Sequence, residues 1–329
     1  MQKITRDALV NKALALLENG TVDRVLGWKK GELAYDVTPA VFTDGKSIGE
    51  GFIWSDFCGA NFSKYLIAET KKTGSKVLVF LKPCDTYSFN QLLTEHRFDR
   101  EKVYAVGIPC EGMTDVHKLR AAVGEGICNV EADGDMLAVS TVYSDEPVNV
   151  PAAEVMLERC LVCKSKKHVA YDELLGEEGE VTESSRFDQV AELEALTPDE
   201  RFAFWQNELS RCIRCNACRD VCPACTCEKC VFNNPSSGVE NKAAANSFEE
   251  KMFHIIRAFH VAGRCTDCGE CSRVCPQRIP LHLLNRKFIS DIDNFYGEYQ
   301  AGAEVGSRAP LVNYDQGDLE PSEVFGGRE

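Results

Sequence analysis

Two runs of cysteines have the type and spacing that point most directly to chemistry in this sequence. One run begins at Cys212 and the other at Cys265, and each reads C-x2-C-x2-C-x3-C-P. A chain wraps a cubane 4Fe–4S cluster with this spacing, because the first three thiolates lie on one tight loop. The sequence therefore predicts two such clusters between Cys212 and Pro276.

The fourth cysteine of each run lies one helical turn further along the chain, too far to close the same cube comfortably. In two-cluster proteins this cysteine binds the other cluster. We therefore expect the first cluster to be bound by Cys212, Cys215, Cys218 and Cys275, and the second by Cys222, Cys265, Cys268 and Cys271.

Zinc and disulfides are the alternatives for these cysteines. A zinc ribbon needs two C-x2-C pairs, not two four-cysteine runs that each end in proline. Seventeen cysteines is an odd number, and the N-terminus lacks the apolar segment of a secretory leader. No segment approaches the roughly 20 apolar residues of a membrane span. We expect a cytoplasmic protein whose thiols are reduced and bind metal.

Two further cysteines follow apolar runs in the N-terminal half. Residues 76–81 are followed by Pro83-Cys84, and residues 103–108 by Pro109-Cys110. A helical segment separates the two runs, which is the pattern of parallel β-strands joined by a helix. Because ligands collect at the carboxyl edge of such sheets, we expect Cys84 and Cys110 to lie side by side there.

The remaining cysteines fall into three groups with different expectations. Cys160 and Cys163 form a C-x-x-C pair, which with Cys84 and Cys110 supplies four thiols for one site. A third 4Fe–4S cluster is expected there, with zinc and simple packing as open alternatives. Cys58 and Cys128 are expected to be buried as small apolar residues. A third group can hold a further metal with one more ligand, or lie beside a cluster: Cys225, Cys227 and Cys230.

Patterns of strands, helices and acidic residues predict the domain organisation. We expect an α/β domain with parallel strands at residues 1–170 and an α-helical 4Fe–4S dicluster ferredoxin domain at 197–295. An acidic linker is expected at 171–196 and an acidic tail at 296–329. Helical periodicity in the C-terminal domain predicts packing by helices and not by the small hairpins of a minimal ferredoxin.

The net charge of −14 is concentrated in two acidic segments. Residues 172–200 carry −10 and residues 291–329 carry −7, which leaves the rest of the chain slightly basic. Acidic segments of this kind are typical of solvated chain. An acidic protein is poorly suited to nucleic acid, so no nucleic-acid partner is expected.

The residues support a resemblance to two families. Through its two cysteine runs, the C-terminal part resembles the dicluster ferredoxin domains of heterodisulfide reductase, succinate dehydrogenase-type and sulfhydrogenase subunits. Through Lys82-Pro83-Cys84-Asp85, Val106 to Cys110 and Cys160-x-x-Cys163, the N-terminal part is similar to the β-subunit family of deazaflavin-coenzyme-reducing hydrogenases and formate dehydrogenases. That family binds a 4Fe–4S cluster and FAD, which implies that these N-terminal cysteines bind a cluster. Its flavin-binding Gly-Ser-Lys-Tyr segment is matched only by Asn61 to Tyr65, which leaves FAD open.

These observations predict an electron-transfer iron–sulfur subunit of an anaerobic multi-subunit oxidoreductase. Its expected partners are a flavoprotein or a formate dehydrogenase, hydrogenase or heterodisulfide-reductase-like subunit. The alternative is an FAD-containing oxidoreductase β subunit that acts on a diffusible redox coenzyme. The sequence has no G-x-G-x-x-G, P-loop or H-E-x-x-H motif, and no catalytic residue is predicted. His168, His260 and His282 are expected to be structural or exposed.

Overall fold

The N-terminal region contains two β-sheets. The structure is a computed structural model that describes residues 3–180, 184–234 and 247–313. Its strands are β1 (Val22–Lys30), β2 (Val37–Phe42), β3 (Lys76–Leu81), β4 (Val103–Gly107), β5 (Ile127–Asp133), β6 (Met136–Thr141), β7 (Ser144–Pro151) and β8 (Glu173–Leu174). The larger sheet has the strand order β2-β1-β3-β4-β8, and the smaller has the order β5-β6-β7.

The centre of the larger sheet is the parallel pair β3 and β4, as the sequence predicts. Leu78 pairs with Tyr104 and Leu81 with Gly107 in parallel register. Every residue of β3 from Val77 to Leu81 is buried, because a central parallel strand is covered on both faces. β1 adds in parallel to β3, while the antiparallel β2 and the short parallel β8 form the two edges.

The helices of this region connect the strands, and α5 packs against the smaller sheet. They are α1 (Arg6–Glu18), α2 (Gly45–Gly51), α3 (Leu66–Glu69), α4 (Pro83–Thr94), α5 (Val116–Val123) and α6 (Glu158–Leu161). Thr5 caps α1 by accepting a hydrogen bond from the Ala8 N–H. Pro83 is the first residue of α4, a position that suits proline since no intrahelical N–H bond is lost there. Cys84 therefore lies in the first turn of α4, directly after β3.

The smaller sheet is antiparallel and contains a hairpin around Asp133-Gly134. Asp133 pairs with Met136, and β7 adds a third strand to the hairpin. Most of β5 is exposed, including Cys128. The prediction that Cys128 is buried is therefore wrong, because an antiparallel sheet can leave one face in water. Cys58 is fully buried, as predicted.

Helices form most of the regular structure in the C-terminal region. They are α7 (Asp188–Glu194), α8 (Pro198–Ser210), α9 (Ala217–Val221), α10 (Ser247–Val261), α11 (Glu270–Arg273) and α12 (Leu281–Tyr296). Thr197 and Glu200 cap α8 reciprocally, as their spacing predicts. α10 packs against α8 and α12. Leu209, Phe232 and Phe253 are buried between these elements. Within the described ranges, no helix is long and apolar enough to cross a membrane.

The two acidic segments contain ordered contacts in the part that the structure describes. Within 171–196, β8 extends the larger sheet and α7 packs against α12. In the C-terminal tail, the Gly306 N–H donates to the Thr94 hydroxyl over 2.9 Å. Gly302 lies so close to α4 that an added Cβ would be 1.9 Å from the Tyr87 carbonyl oxygen. Residues 181–183 of the predicted linker and 314–329 of the predicted tail lie outside the described residues.

Candidate functional site

The loops of the two cysteine runs have the same backbone conformation. Arg214 and Asn216 flank Cys215 with φ angles of 52° and 62°. Asp267 and Gly269 flank Cys268 in the same way, with φ angles of 53° and 64°. The left-handed region is unfavourable for residues with a side chain, so three of these four positions hold strained backbone. This conformation curls each loop around the space that its thiols line.

Four cysteines of the two runs line one largely apolar cavity: Cys212, Cys215, Cys218 and Cys275. Phe253 and Leu281 also line the cavity and exclude water. The His254 ring nitrogen Nε2 lies 3.2 Å from the Cys212 sulfur. Burial, together with the nearby Arg257 and Arg214, lowers the pKa of His254 to about 3, so its ring is neutral at pH 7. The structure thus brings Cys275 of the second run to three cysteines of the first.

The three loop cysteines of the second run are also deeply enclosed. Burial raises the pKa of Cys265, Cys268 and Cys271 to about 12 in each case. Iron would deprotonate such thiols, since the thiolate is the form that binds metal. The Asn285 side-chain nitrogen Nδ2 lies 3.8 Å from the Cys271 sulfur. Cys222 is the fourth cysteine expected in this group, and it forms a hydrogen bond with Cys225. This hydrogen bond and burial raise the pKa of Cys225.

The four cysteines of the N-terminal half line a second cavity together. Cys84 comes from α4, Cys110 follows β4, and Cys160 and Cys163 come from α6 and the residues after it. Cys268 of the second run lines the same cavity. Cys84 and Cys110, which follow the carboxyl ends of β3 and β4, therefore lie beside the C-x-x-C pair. All four cysteines also lie near Cys268 of the dicluster region.

The charges around this N-terminal cavity fit a group bound by four thiolates. Its lining has one acidic residue, Asp267, and five basic ones: Lys82, Arg159, Lys164, Lys166 and Arg286. Four thiolates around a cubane or a zinc ion leave a net negative charge, which nearby cations stabilise. Burial raises the pKa of Cys110 to about 12, so this thiol would be deprotonated only when a metal binds it.

Two of these cations connect the N-terminal cysteines to the second cysteine run. Arg159, next to Cys160, donates to the Cys268 carbonyl over 2.5 Å and to the Glu270 carboxylate over 2.5 Å. Lys164, next to Cys163, donates to the Thr266 carbonyl. The same two cations also contact the N-terminal region, at the Gly59 carbonyl and the Tyr87 ring. The two cysteine sites are therefore held against each other by direct hydrogen bonds.

Glu270 is the buried anion at the centre of this contact. Its side chain is 0% exposed and accepts hydrogen bonds from Arg159, Arg273 and the Asn61 N–H. Burial alone would raise the pKa of Glu270, but Arg273 and Arg159 hold it at about 2. Neither Glu270 nor Arg159 is a predicted site residue. The signal in the sequence that could have identified them is their position: Arg159 is adjacent to Cys160, and Glu270 is adjacent to Cys271.

His168 joins the carboxyl ends of the two central strands, in the structural role expected for it. Its Nε2 donates to the carbonyls of Leu81 and Ile108, each 3.1 Å away. Its Nδ1 lies 3.0 Å from the Glu178 carboxylate. His282 is also buried, between the Ser272 hydroxyl and the Glu158 carboxylate.

Replacing His168 with leucine should lower the free energy of unfolding by about 2 kcal/mol, because two buried carbonyls lose their donor. Urea unfolding followed by tryptophan fluorescence measures this change. Lys167→Ala is the control, since Lys167 is exposed and adjacent. A His168→Leu variant as stable as the control would contradict the structural role.

A third cavity, between α3 and the loop after the first cysteine run, is lined by Cys225, Cys227 and Cys230. In the part of the chain that the structure describes, no group of three or more His, Cys, Asp or Glu side chains is arranged to hold a single metal ion. A cubane attaches each thiolate to a different iron, so its ligands need not converge on one point.

Comparison with known proteins identifies relatives of both halves of the chain. Residues 208–279 match the family model of the 4Fe-4S dicluster domain. The F420-dependent formate dehydrogenase subunit beta of Methanocaldococcus jannaschii is 25% identical over 92% of this chain and 92% of its own length. The F420-dependent formate dehydrogenase 1 subunit beta of Methanococcus maripaludis is 24% identical over 66% of this chain and 71% of its own length.

A solved structure is also similar to part of the chain. A chain of the F420-reducing [NiFe] hydrogenase complex from Methanosarcina barkeri matches 58% of this chain and 76% of its own length, with 16% identity and a TM-score of 0.38. Over nearly its whole length the chain is thus similar to an F420-dependent formate dehydrogenase subunit beta, and its residues 208–279 match a 4Fe-4S dicluster domain.

Proposed function

We propose that the chain is an electron-transfer iron–sulfur subunit of a multi-subunit oxidoreductase, and that it relays single electrons through two or more 4Fe–4S clusters. The observation that carries this proposal is the position of Cys268. It belongs to the second cysteine run, and it also lines the cavity of the four N-terminal cysteines. Cysteine sites in both halves of the chain are therefore adjacent, as a relay requires.

The proposed ligands follow the two runs and the N-terminal cavity. Cys212, Cys215, Cys218 and Cys275 would hold one cluster, Cys222, Cys265, Cys268 and Cys271 a second, and Cys84, Cys110, Cys160 and Cys163 a third. A bound cubane exchanges one electron at a time. The protein's own contribution is to exclude water with apolar walls, to direct N–H groups at sulfurs and to supply compensating cations.

The proposed domain organisation is the one that the sequence predicts. An α/β domain at 1–170 would carry the N-terminal cluster, and a helical ferredoxin domain at 197–295 would carry the other two. Since two relatives described above are formate dehydrogenase β subunits, the proposed partner is a formate dehydrogenase, hydrogenase or heterodisulfide-reductase-like subunit. Its seventeen unbridged cysteines favour a reducing, cytoplasmic location.

Iron, acid-labile sulfide and flavin per chain, measured on protein purified without oxygen, test this function. About twelve irons per chain is the expected result for three cubanes. About eight would limit the clusters to the dicluster domain and remove the N-terminal site from the relay. One tightly bound FAD per chain would instead favour the alternative, a flavin-containing β subunit that acts on a diffusible redox coenzyme.

A further inference from the structure

Arg257 of helix α10 is a buried cation whose partners differ from those of other buried arginines. It is 5% exposed. Arg24, Arg159 and Arg286, whose side chains are also buried, each pair with at least one carboxylate. Among the residues that the structure describes, no carboxylate lies within ion-pair distance of Arg257. A buried charge is costly unless it is paired, so Arg257 calls for an anion.

The hydrogen bonds of Arg257 lead to cysteines and not to acidic side chains. Its Nη2 donates to the Cys218 carbonyl over 3.2 Å and lies 3.9 Å from the Cys225 sulfur. Its Nε has no hydrogen-bond partner in the described part of the chain. Because a carbonyl is neutral, the contact with Cys218 holds the guanidinium in place but does not balance its charge.

The electrostatic neighbours of Arg257 include cysteines of both proposed clusters. Burial alone would lower the pKa of Arg257, but thiolates at Cys218, Cys225, Cys222 and Cys271 raise it. Cys218 is a proposed ligand of the first cluster, and Cys222 and Cys271 are proposed ligands of the second. Arg257 therefore lies within electrostatic reach of negative charge on either cluster.

Helix α10 positions this cation between the two cysteine runs. The helix packs against α8 and α12, and its Phe253 lies in the core of the dicluster region. His254, which lies against the Cys212 sulfur, precedes Arg257 by three residues. Residues three apart share one face of a helix. The same face of α10 therefore carries a neutral ring and a cation toward the cysteines.

We propose that Arg257 is the shared counter-cation of the two clusters in the dicluster region, and that it raises the reduction potential of both. This inference rests on the proposed function, because it requires both clusters at their proposed ligands. A cubane bound by four thiolates is negatively charged, and the one electron that it accepts adds a further negative charge. A buried cation nearby stabilises the reduced form more than the oxidised form.

The test uses the full chain purified without oxygen and compares two replacements of Arg257. Arg257→Lys keeps the positive charge, whereas Arg257→Gln keeps a side-chain N–H donor without the charge. The control is Arg211→Gln, because Arg211 is adjacent to Cys212 but is exposed and paired with Glu208. Iron and sulfide are counted in every preparation, and redox titration followed by electron paramagnetic resonance gives the potential of each cluster.

In Arg257→Gln, the equilibrium constant for reduction should fall about tenfold at two clusters, a decrease of about 59 mV for a one-electron couple. The cluster proposed at the N-terminal cysteines should not change, since Arg257 does not line that cavity. Arg257→Lys and Arg211→Gln should both stay within about threefold of the unaltered chain, because the first keeps the charge and water screens the second. Loss of both clusters from Arg257→Gln but not from Arg257→Lys would equally support the proposal, since the lysine keeps the charge.

Unchanged potentials in Arg257→Gln would overturn the proposal, and so would a shift at only one cluster. Equal changes in the glutamine and lysine variants, in potential or in iron content, would show that the shape of the side chain matters and its charge does not. An unaltered chain without iron would disprove the proposed function together with this inference. About eight or twelve irons per chain, with potentials that do not respond to Arg257, would disprove this inference alone.

Discussion

Replacing Cys268 with serine is expected to remove about four irons per chain, as one cubane is lost, and to stop electron transfer through the protein. Cys268 is buried on the second loop and also lines the N-terminal cavity. Serine has nearly the same size, but its hydroxyl does not replace a thiolate as a ligand to iron. The larger sheet should stay folded, because the Cys268 carbonyl that accepts from Arg159 remains.

Iron and sulfide analysis, electron paramagnetic resonance and far-ultraviolet circular dichroism measure these effects. Electron transfer is followed from a low-potential dye donor to a second dye as acceptor. Cys128→Ser is the matched control, since Cys128 is an exposed cysteine outside every candidate site. Electron transfer that survived the loss of four irons would disprove a relay through this cluster.

Replacing Glu270 with glutamine should reduce the free energy of unfolding by about 3 kcal/mol, the cost of breaking a buried ion pair by removing one partner. The amide keeps the shape of the side chain and can still accept from the Asn61 N–H. It leaves the buried guanidinium of Arg159, which is 8% exposed, without its carboxylate. Arg273 loses its carboxylate partner as well.

Anaerobic urea unfolding, followed by tryptophan fluorescence, measures this loss. Glu101→Gln is the control, because Glu101 is exposed and its change should be within about 0.5 kcal/mol. Equal midpoints for the two variants would show that Glu270 does not hold the two cysteine sites together.

The parts of the fold that the sequence predicts are those with local patterns. The apolar runs of β3 and β4 predict a buried parallel pair, and Thr197 with Glu200 predicts the start of α8. The cysteine spacing places the thiols on two loops, and the shared cavity that includes Cys275 has the composition expected from that spacing.

Other features of the fold and the site depend on contacts between residues far apart in the chain, which no local sequence pattern predicts. Asn61 reaches Glu270 across 209 positions, and Arg159 reaches it across 111. The short strand β8 has two residues and forms because β4 offers an open edge, although its own sequence is acidic. The third cavity likewise appears only when α3, the first cysteine loop and α10 come together.

The hydrogen bonds of Arg159 and Lys164 also limit how this polypeptide can be divided or recombined. The C-terminal half supplies the carboxylate that neutralises the buried Arg159, so a cut near residue 197 would separate Arg159 from Glu270. An unpaired buried charge costs several kcal/mol, so the N-terminal fragment would not keep its shape at the newly exposed surface. The cysteine motifs of the two halves resemble separate families, but the contact between Arg159 and Glu270 joins the halves. A ferredoxin module from another protein could replace this one only if it brought a carboxylate equivalent to Glu270.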